Sequence, residues 1–329
     1  MPFKAIYLSQ TEAGRQTEIV TLEPHDLDEG EVTVAVEYST INYKDGLALT
    51  HKSPVVRRFP LIAGIDFAGT VTESSHPDFK AGDRVTANGW DLGFTHHGGL
   101  SQLARVPAKW LIKLPDSITT REAAAIGTAG YTAMLGVLAL QQHGTTPDKG
   151  EVLVTGAGGG VGSVAVALLA ELGYRVTAST GRMHEADYLH KLGANEIIDR
   201  SELDAPSSKP LLRERWVAAI DSAGSHTLAN ILAQTRYGGI VACNGLAQGA
   251  DLVTTVMPFI LRGVTLAGID SVYAPVEKRR LAWEGLARYL DRNKLAEMIN
   301  EYPLGKAVEV AQRILKGEIR GRTVINVNA

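Results

Sequence analysis

Short runs of β-branched and apolar residues, each broken within a few positions by Gly, Pro, Asn or Asp, fill the first third of the chain. Residues 32–36, 69–71 and 84–87 are examples, and this punctuation predicts an irregular antiparallel β domain. Near Ala123 the pattern changes to alanine- and leucine-rich helical segments that alternate with short apolar strands. The pattern predicts helix over 131–142, strand over 152–155, helix over 161–172, strand over 175–179, helix over 186–192 and strand over 196–198. Later strands fall at 217–221, 240–244 and 265–268. Such alternation means a parallel sheet with right-handed crossovers. A helix near 306–316 and a strand near 323–327 close the chain. No partner strand lies close to them in sequence, so the tail is expected to return to the first domain. No repeat or low-complexity tract is present.

A chain of 329 residues accommodates two domains. A formal charge of −3 provides no general attraction to nucleic acid or an anionic membrane. No N-terminal signal pattern and no apolar run long enough to span a bilayer are read from the sequence. Cys243 is the only cysteine, which excludes an internal disulfide and any site built on several thiolates. A cytoplasmic location is the expectation.

The strongest local signal is Gly156-Ala157-Gly158-Gly159-Gly160-Val161-Gly162, placed after a predicted strand and opening a predicted helix. Aligned to G-x-G-x-x-G, the glycine positions fall on Ala157, Gly159 and Gly162, with alanine in place of the first. Gly159 would let the backbone approach a pyrophosphate, and Gly162 would let the helix pack closely on the strand. The helix N-terminus offers free N–H groups and a positive dipole end to the phosphates. The glycines alone are a common match; the flanking strand and helix give them weight.

The next strand ends Ser179-Thr180-Gly181-Arg182. An NAD-selective site usually has an acid there to bond the ribose 2′-hydroxyl. Two hydroxyls and a guanidinium instead suit a 2′-phosphate, through charge-assisted hydrogen bonds. NADPH is therefore the expected coenzyme, with Arg200 after the third strand as a second cation. The alternative for Arg182 is a solvated surface arginine.

Further motifs are Asn42-Tyr43-Lys44-Asp45, the stretch 60–69 (PLIAGIDFAG), Gly82-Asp83-Arg84-Val85, the stretch 127–133 (GTAGYTA) and Gly321-Arg322-Thr323. With the glycine turn, they resemble the quinone-oxidoreductase branch of the medium-chain dehydrogenase/reductases, and within it the acrylyl-CoA reductase subfamily. The resemblance covers nearly the whole chain. It implies an α/β protein with a GroES-like β-rich catalytic domain (residues 1–124 and 298–329). A Rossmann domain with a doubly wound parallel sheet would occupy residues 125–297, with the active cleft between the two. It also implies a homodimer joined near residues 264–271.

Zinc-dependent relatives carry Cys and His ligands in the first domain and a four-cysteine lobe. This sequence has neither, and it reads Gly64-Ile65-Asp66 where they place Gly-His-Glu. His96 and His97 are adjacent, cannot alone close a tetrahedral site, and read as surface histidines. No metal is expected. Hydride addition to an already electrophilic substrate remains, such as an alkene conjugated to a carbonyl, or a quinone.

The expected reaction is reduction of acryloyl-CoA to propanoyl-CoA, with hydride to the β-carbon and a proton to the α-carbon. Tyr43 is the candidate for positioning nicotinamide or substrate and for donating that proton; water is the other donor, and a packed structural tyrosine the other reading. Asp45 either orients this loop or only caps it. The resemblance also carries Leu246, Ile260, Ser271, Arg322 and Asn326 into the cofactor cleft. Lys52, Arg57 and Arg58 form a basic cluster that would bind the CoA phosphates or simply be solvated. Cys243 reads as a small buried hydrophobe. Rival readings are a quinone or enone reductase and a non-catalytic nucleotide-binding protein.

Overall fold

The computed structural model describes residues 1–329. Strands β1 (Phe3–Thr11), β2 (Gly14–Leu22) and β3 (Val32–Thr40) precede the short helix α1 (Tyr43–Leu49). Then come β4 (Leu61–Ile62), β5 (Asp66–Ser74), β6 (Arg84–Asn88), β7 (Leu103–Val106) and β8 (Leu111–Lys113). Helix α2 (Thr120–Gln142) leads to β9 (Glu151–Val154), α3 (Gly160–Glu171), β10 (Arg175–Thr180), α4 (Ala186–Leu192) and β11 (Glu196–Asp199). Next are β12 (Trp216–Asp221), α5 (Ser225–Gln234), β13 (Thr235–Cys243), α6 (Met257–Arg262) and β14 (Thr265–Gly268). Helices α7 (Val276–Tyr289) and α8 (Arg292–Met298), strand β15 (Ile299–Pro303), helix α9 (Ala307–Leu315) and strand β16 (Arg322–Asn326) complete the chain.

The chain forms two compact units. The first comprises Met1–Thr128, Ser271–Ala287 and Met298–Ala329; the second comprises Ala129–Asp270 and Arg288–Glu297. The first holds a three-stranded sheet, β2-β1-β4, and a seven-stranded one in which β15-β16-β3-β5-β6-β8 are joined by β7 pairing with β3. The tail does return: β16 runs antiparallel to β3, with Val324 opposite Thr40. Val34, Phe67, Val85, Leu111, Val310 and Ile325 belong to one buried core of this unit.

Residues 271–287 were expected in the second domain, yet they cluster with the first. Arg279 gives the physical reason. Its guanidinium is buried and donates to the carbonyls of Asn88 (2.6 Å) and Val272 (2.6 Å) while stacking 4.1 Å from the Trp90 ring centroid. Such a fully bonded guanidinium would be costly to expose partly unpaired.

The second unit is a six-stranded parallel sheet in the order β11-β10-β9-β12-β13-β14. That order reverses direction between β9 and β12, which is where open α/β sheets bind ligands at the carboxyl ends of their strands. Strand β13 starts five residues earlier than its apolar run suggests. The register shifts between Trp216 and Ala218, so Thr235 pairs with Trp216 before Ile240 pairs with Ala218; Gly238 in between has positive φ.

Helix α2 begins at Thr120, well before the predicted 131, and is interrupted at Gly127 (φ 49, ψ −162). Its 23 residues are long and apolar enough to cross a membrane, contrary to the expectation that no such run exists. Most of its apolar window is buried inside the protein, which is why it is apolar on every side.

Candidate functional site

The glycine turn of the second unit is shaped by close backbone approach. Gly156 adopts φ +57, a region that favours glycine. A Cβ on Gly162 would lie 2.3 Å from the Gly156 carbonyl oxygen, so α3 approaches the turn only with glycine at that position. Ala157 replaces the motif's first glycine without strain: its methyl is buried and its N–H donates to the Ser179 carbonyl (3.1 Å). Gly159 is the N-cap of α3 and no side chain caps that helix. The first-turn N–H groups, including those of Gly160 and Val161, therefore have no intrahelical carbonyl to bond and form a cradle for an anion. A Cβ on Gly159 would crowd only the Gly156 oxygen, so the turn is open there, whereas one on Gly158 would meet Arg182 Nη2 (2.8 Å) and Glu185 Oε2 (3.0 Å). This arrangement fits a pyrophosphate.

Two arginines reach the end of β10. Parallel pairing sets Thr180 beside Asp199, so the segments after β10 and β11 emerge together. Arg182 Nη2 donates to the Gly158 carbonyl (2.8 Å), and a Cβ on Gly158 would sit 2.8 Å from that nitrogen. Arg200 lies against Gly181, where a Cβ would be 2.6 Å from its Nε. Arg182 is not the solvated arginine of the alternative reading. Glu185, which the sequence reading did not single out, pairs with it at 2.9 Å. Ser179 and Thr180 are buried, and the Thr180 hydroxyl accepts the Arg182 N–H (3.1 Å).

At the reversal point the Thr155 hydroxyl donates to Asp221 (2.7 Å) and ties the ends of β9 and β12 together. Asp221 also accepts the N–H groups of Ala223 and Gly224. Burial pushes its carboxyl above the ordinary carboxylate range. The Ser222 hydroxyl donates to Asn244 (2.8 Å), and Leu246 beyond it is 59% exposed. Asp221 went unnoticed in sequence; an acid ending an otherwise apolar strand was the available signal.

In the first unit, Asn42-Tyr43-Lys44-Asp45 is the start of a helix rather than a loop. Asn42 caps α1 and forms a reciprocal capping box with Asp45. Tyr43, the first helical residue, is 48% exposed, so the packed-aromatic reading does not hold. Beneath it lies a buried polar network. The Asn42 amide nitrogen donates to both Asp45 and Asp66 at 3.1 Å. Asp45 also accepts the Asn42 and Ile65 N–H groups, and Asp66 accepts the Thr128 N–H (2.7 Å). Asp45 therefore both caps the helix and anchors the neighbouring segment. Burial, then the Asp66 charge, pushes the Asp45 carboxyl up to about 7. Burial also raises Asp66, opposed by the Thr128 N–H and the Arg322 charge.

Arg322, expected to approach a cofactor from the tail, is buried in this network instead. It donates to the Ala125 carbonyl, to the Thr40 hydroxyl (3.1 Å) and to Asn42 Oδ1 (3.4 Å). The break in α2 serves the same contact, since a Cβ on Gly127 would fall 2.8 Å from Arg322 Nη2 and 3.0 Å from Asp66 Oδ2.

Comparison with known proteins places these features. An alcohol dehydrogenase GroES-like domain model matches residues 28–116, and a zinc-binding dehydrogenase model matches residues 160–288. The chain is 51% identical to an acrylyl-CoA reductase of Ruegeria pomeroyi, covering 99% of this chain and 100% of that one. The chain belongs to the medium-chain dehydrogenase/reductase family. Another member, a putative quinone oxidoreductase of Bacillus subtilis, is 43% identical over 99% of each chain. Among solved members, the yhdH oxidoreductase of Salmonella enterica in complex with NADP superposes with a TM-score of 0.96 at 48% identity, covering 98% of this chain and 99% of that one. The B. subtilis yhfP structure has NAD bound; its TM-score is 0.95 at 42% identity, covering 99% of this chain and 100% of that one.

No group of three or more His, Cys, Asp or Glu side chains could hold a metal ion. His97 is buried, not a surface histidine as the sequence suggested. Its Nδ1 accepts the Ile62 N–H (2.9 Å), and burial lowers its pKa. Cys243 is half-buried at the end of β13, and burial pushes its thiol up, which keeps it the small, mostly apolar side chain expected.

Asn326 sits at the far end of β16 from Arg322, and its side chain accepts the Asn328 N–H (3.1 Å) in a terminal turn. Ile260 is 71% exposed on α6 in the second unit, whereas Ser271 belongs to the first. The three residues of the basic cluster have different surroundings. Arg58 forms a bidentate pair with Asp28, both contacts 2.8 Å. Arg57 stacks 5.9 Å from the Phe94 centroid, and Lys52 lines a separate cavity with Arg15 and Lys316.

Proposed function

We propose that this chain is an NADPH-dependent acrylyl-CoA reductase that works without a metal. The observation that carries the reading is the convergence of Arg182 and Arg200 at Gly158 and Gly181, beside the N-terminus of α3. The helix N-terminus suits the pyrophosphate, and the two guanidiniums suit the 2′-phosphate. The thioester substrate rests on the full-length identity to the R. pomeroyi reductase.

Bound NADPH supplies the hydride that adds to the β-carbon. The chain's residues then have two tasks: stabilising the negative charge that develops on the thioester oxygen, and delivering a proton to the α-carbon. Tyr43 has a half-exposed phenol on a helix held from below by the Asn42–Asp45–Asp66–Arg322 network. It is assigned to position the reactants and donate that proton. We also place the protein in the cytoplasm as a homodimer, with no nucleic-acid or membrane partner. The outer strand β14 has one open edge, and a second copy would cover it by pairing there.

Purified protein given NADPH with acryloyl-CoA, and separately with a quinone, tests the assignment. The thioester should have the higher kcat/KM. A clear preference for the quinone would transfer the assignment to quinone reduction, the activity for which the B. subtilis relative is named. No turnover with either would leave a nucleotide-binding protein.

A further inference from the structure

We propose that the cavity walled by Arg15, Thr17, His51, Lys52, Gln312 and Lys316 binds the phosphates of the coenzyme A nucleotide. This rests on the acyl-CoA reading above and assigns a place for the part of that substrate remote from the double bond. Three elements of the first unit converge on it. Alternation along β2 puts Arg15 and Thr17 on one face and Gln16 and Glu18 on the other. The chain leaving α1 contributes His51 and Lys52, and the end of α9 contributes Gln312 and Lys316, four residues apart and so on one helix face. The cavity is an open surface depression of about 470 Å³.

Its charged side chains are all of one sign. Three permanent cations line it and no carboxylate does. Several other cations of this unit are matched: Arg58 with Asp28, Lys113 with Asp83, Arg121 with Glu301 and Lys306 with Glu309. Arg15, Lys52 and Lys316 have no such partner, and Arg15 is held by its stack 5.2 Å from the Phe59 centroid. The Thr17 hydroxyl donates its only proton to the Leu49 carbonyl (3.1 Å), so His51 Nε2, 2.9 Å away, must be the donor to Thr17. This fixes the His51 ring in the lining of the cavity with its tautomer set.

Position favours CoA over a free anion. Tyr43 opens α1 and Leu49, a cavity residue, closes it, so the seven-residue helix spans about 10 Å between the proposed proton donor and the cations. A pantetheine arm is long enough to run along so short a helix. The diphosphate and 3′-phosphate at its end would meet three cations.

The test uses whole protein saturated with NADP⁺, so that the coenzyme site is filled. Wild type and the triple variant Arg15→Gln/Lys52→Gln/Lys316→Gln are titrated calorimetrically with 3′,5′-ADP and with inorganic phosphate. Each is then assayed on acryloyl-CoA and on acryloyl-pantetheine, which lacks the nucleotide. The ratio of kcat/KM for the two thioesters should fall by about tenfold or more in the variant, as three exposed contacts worth a few-fold each would give. The 3′,5′-ADP Kd should rise in step, and Lys52→Arg/Lys316→Arg should keep both near wild type. An unchanged ratio overturns the proposal, as does phosphate binding as tightly as 3′,5′-ADP. If wild type reduces neither thioester, the acyl-CoA reading fails by itself; the titration then decides the cavity, and no binding of 3′,5′-ADP overturns it.

Discussion

Replacing Arg182 by alanine should selectively weaken NADPH, and Glu185 sets how much. The guanidinium is held between the Gly158 carbonyl at 2.8 Å and the Glu185 carboxylate at 2.9 Å. Both side chains are mostly buried, at 23% and 12% exposure. A charge-assisted hydrogen bond in such a place contributes about 1.5–3 kcal/mol. At 1.36 kcal/mol per decade, losing it raises the NADPH Kd roughly ten- to a hundredfold. Arg182→Ala also leaves Glu185 facing the 2′-phosphate unneutralised, so its loss should fall at the upper end. Glu185→Gln keeps the guanidinium and removes its competitor, and should tighten NADPH several-fold. The double variant should then recover part of the loss of Arg182→Ala. Fluorescence titration of NADPH and NADH against the four proteins measures each term, and the double-mutant cycle isolates the coupling. Equal weakening of both coenzymes by Arg182→Ala would refute the 2′-phosphate role. Weaker NADPH binding in Glu185→Gln would refute the competition.

Gly162→Ala sets a methyl against the Gly156 carbonyl oxygen at 2.3 Å; it should destabilise the fold by about 1–3 kcal/mol and weaken both coenzymes together, read by thermal unfolding and titration. Tyr43→Phe should lower kcat on acryloyl-CoA by about a hundredfold or more; an unchanged rate would assign the proton to water. Asp45 has a pKa raised to about 7 in the fold against an ordinary carboxylate value in the unfolded chain. The native state therefore holds the proton more tightly, and this contribution is whole at acidic pH and lost as pH rises through about 7. Melting temperature should fall between about pH 4 and 7 from this group, and Asp45→Asn should flatten that slope; an identical slope in the variant would show that the proton sits elsewhere.

Local spacing along the chain was enough to determine the second unit's plan. Helical and strand periods give the alternating elements, and the glycine turn depends on neighbours within seven positions, Gly156 to Gly162. The absence of an acid at the end of β10 is likewise visible in four consecutive residues. Tertiary structure decided what depends on contacts between distant segments. The helix at Tyr43 is only seven residues long, too short for a periodic signal, and it persists through its cap and the buried network under it. Arg322 looked like a ligand-facing cation until the fold brought it to Thr40, Asn42 and Ala125. Arg58 was matched by Asp28, and Lys52 was grouped instead with Arg15 and Lys316 from opposite ends of the chain. A charged side chain's role follows from which charges and how much water surround it, and those neighbours are set by folding rather than by adjacency in sequence.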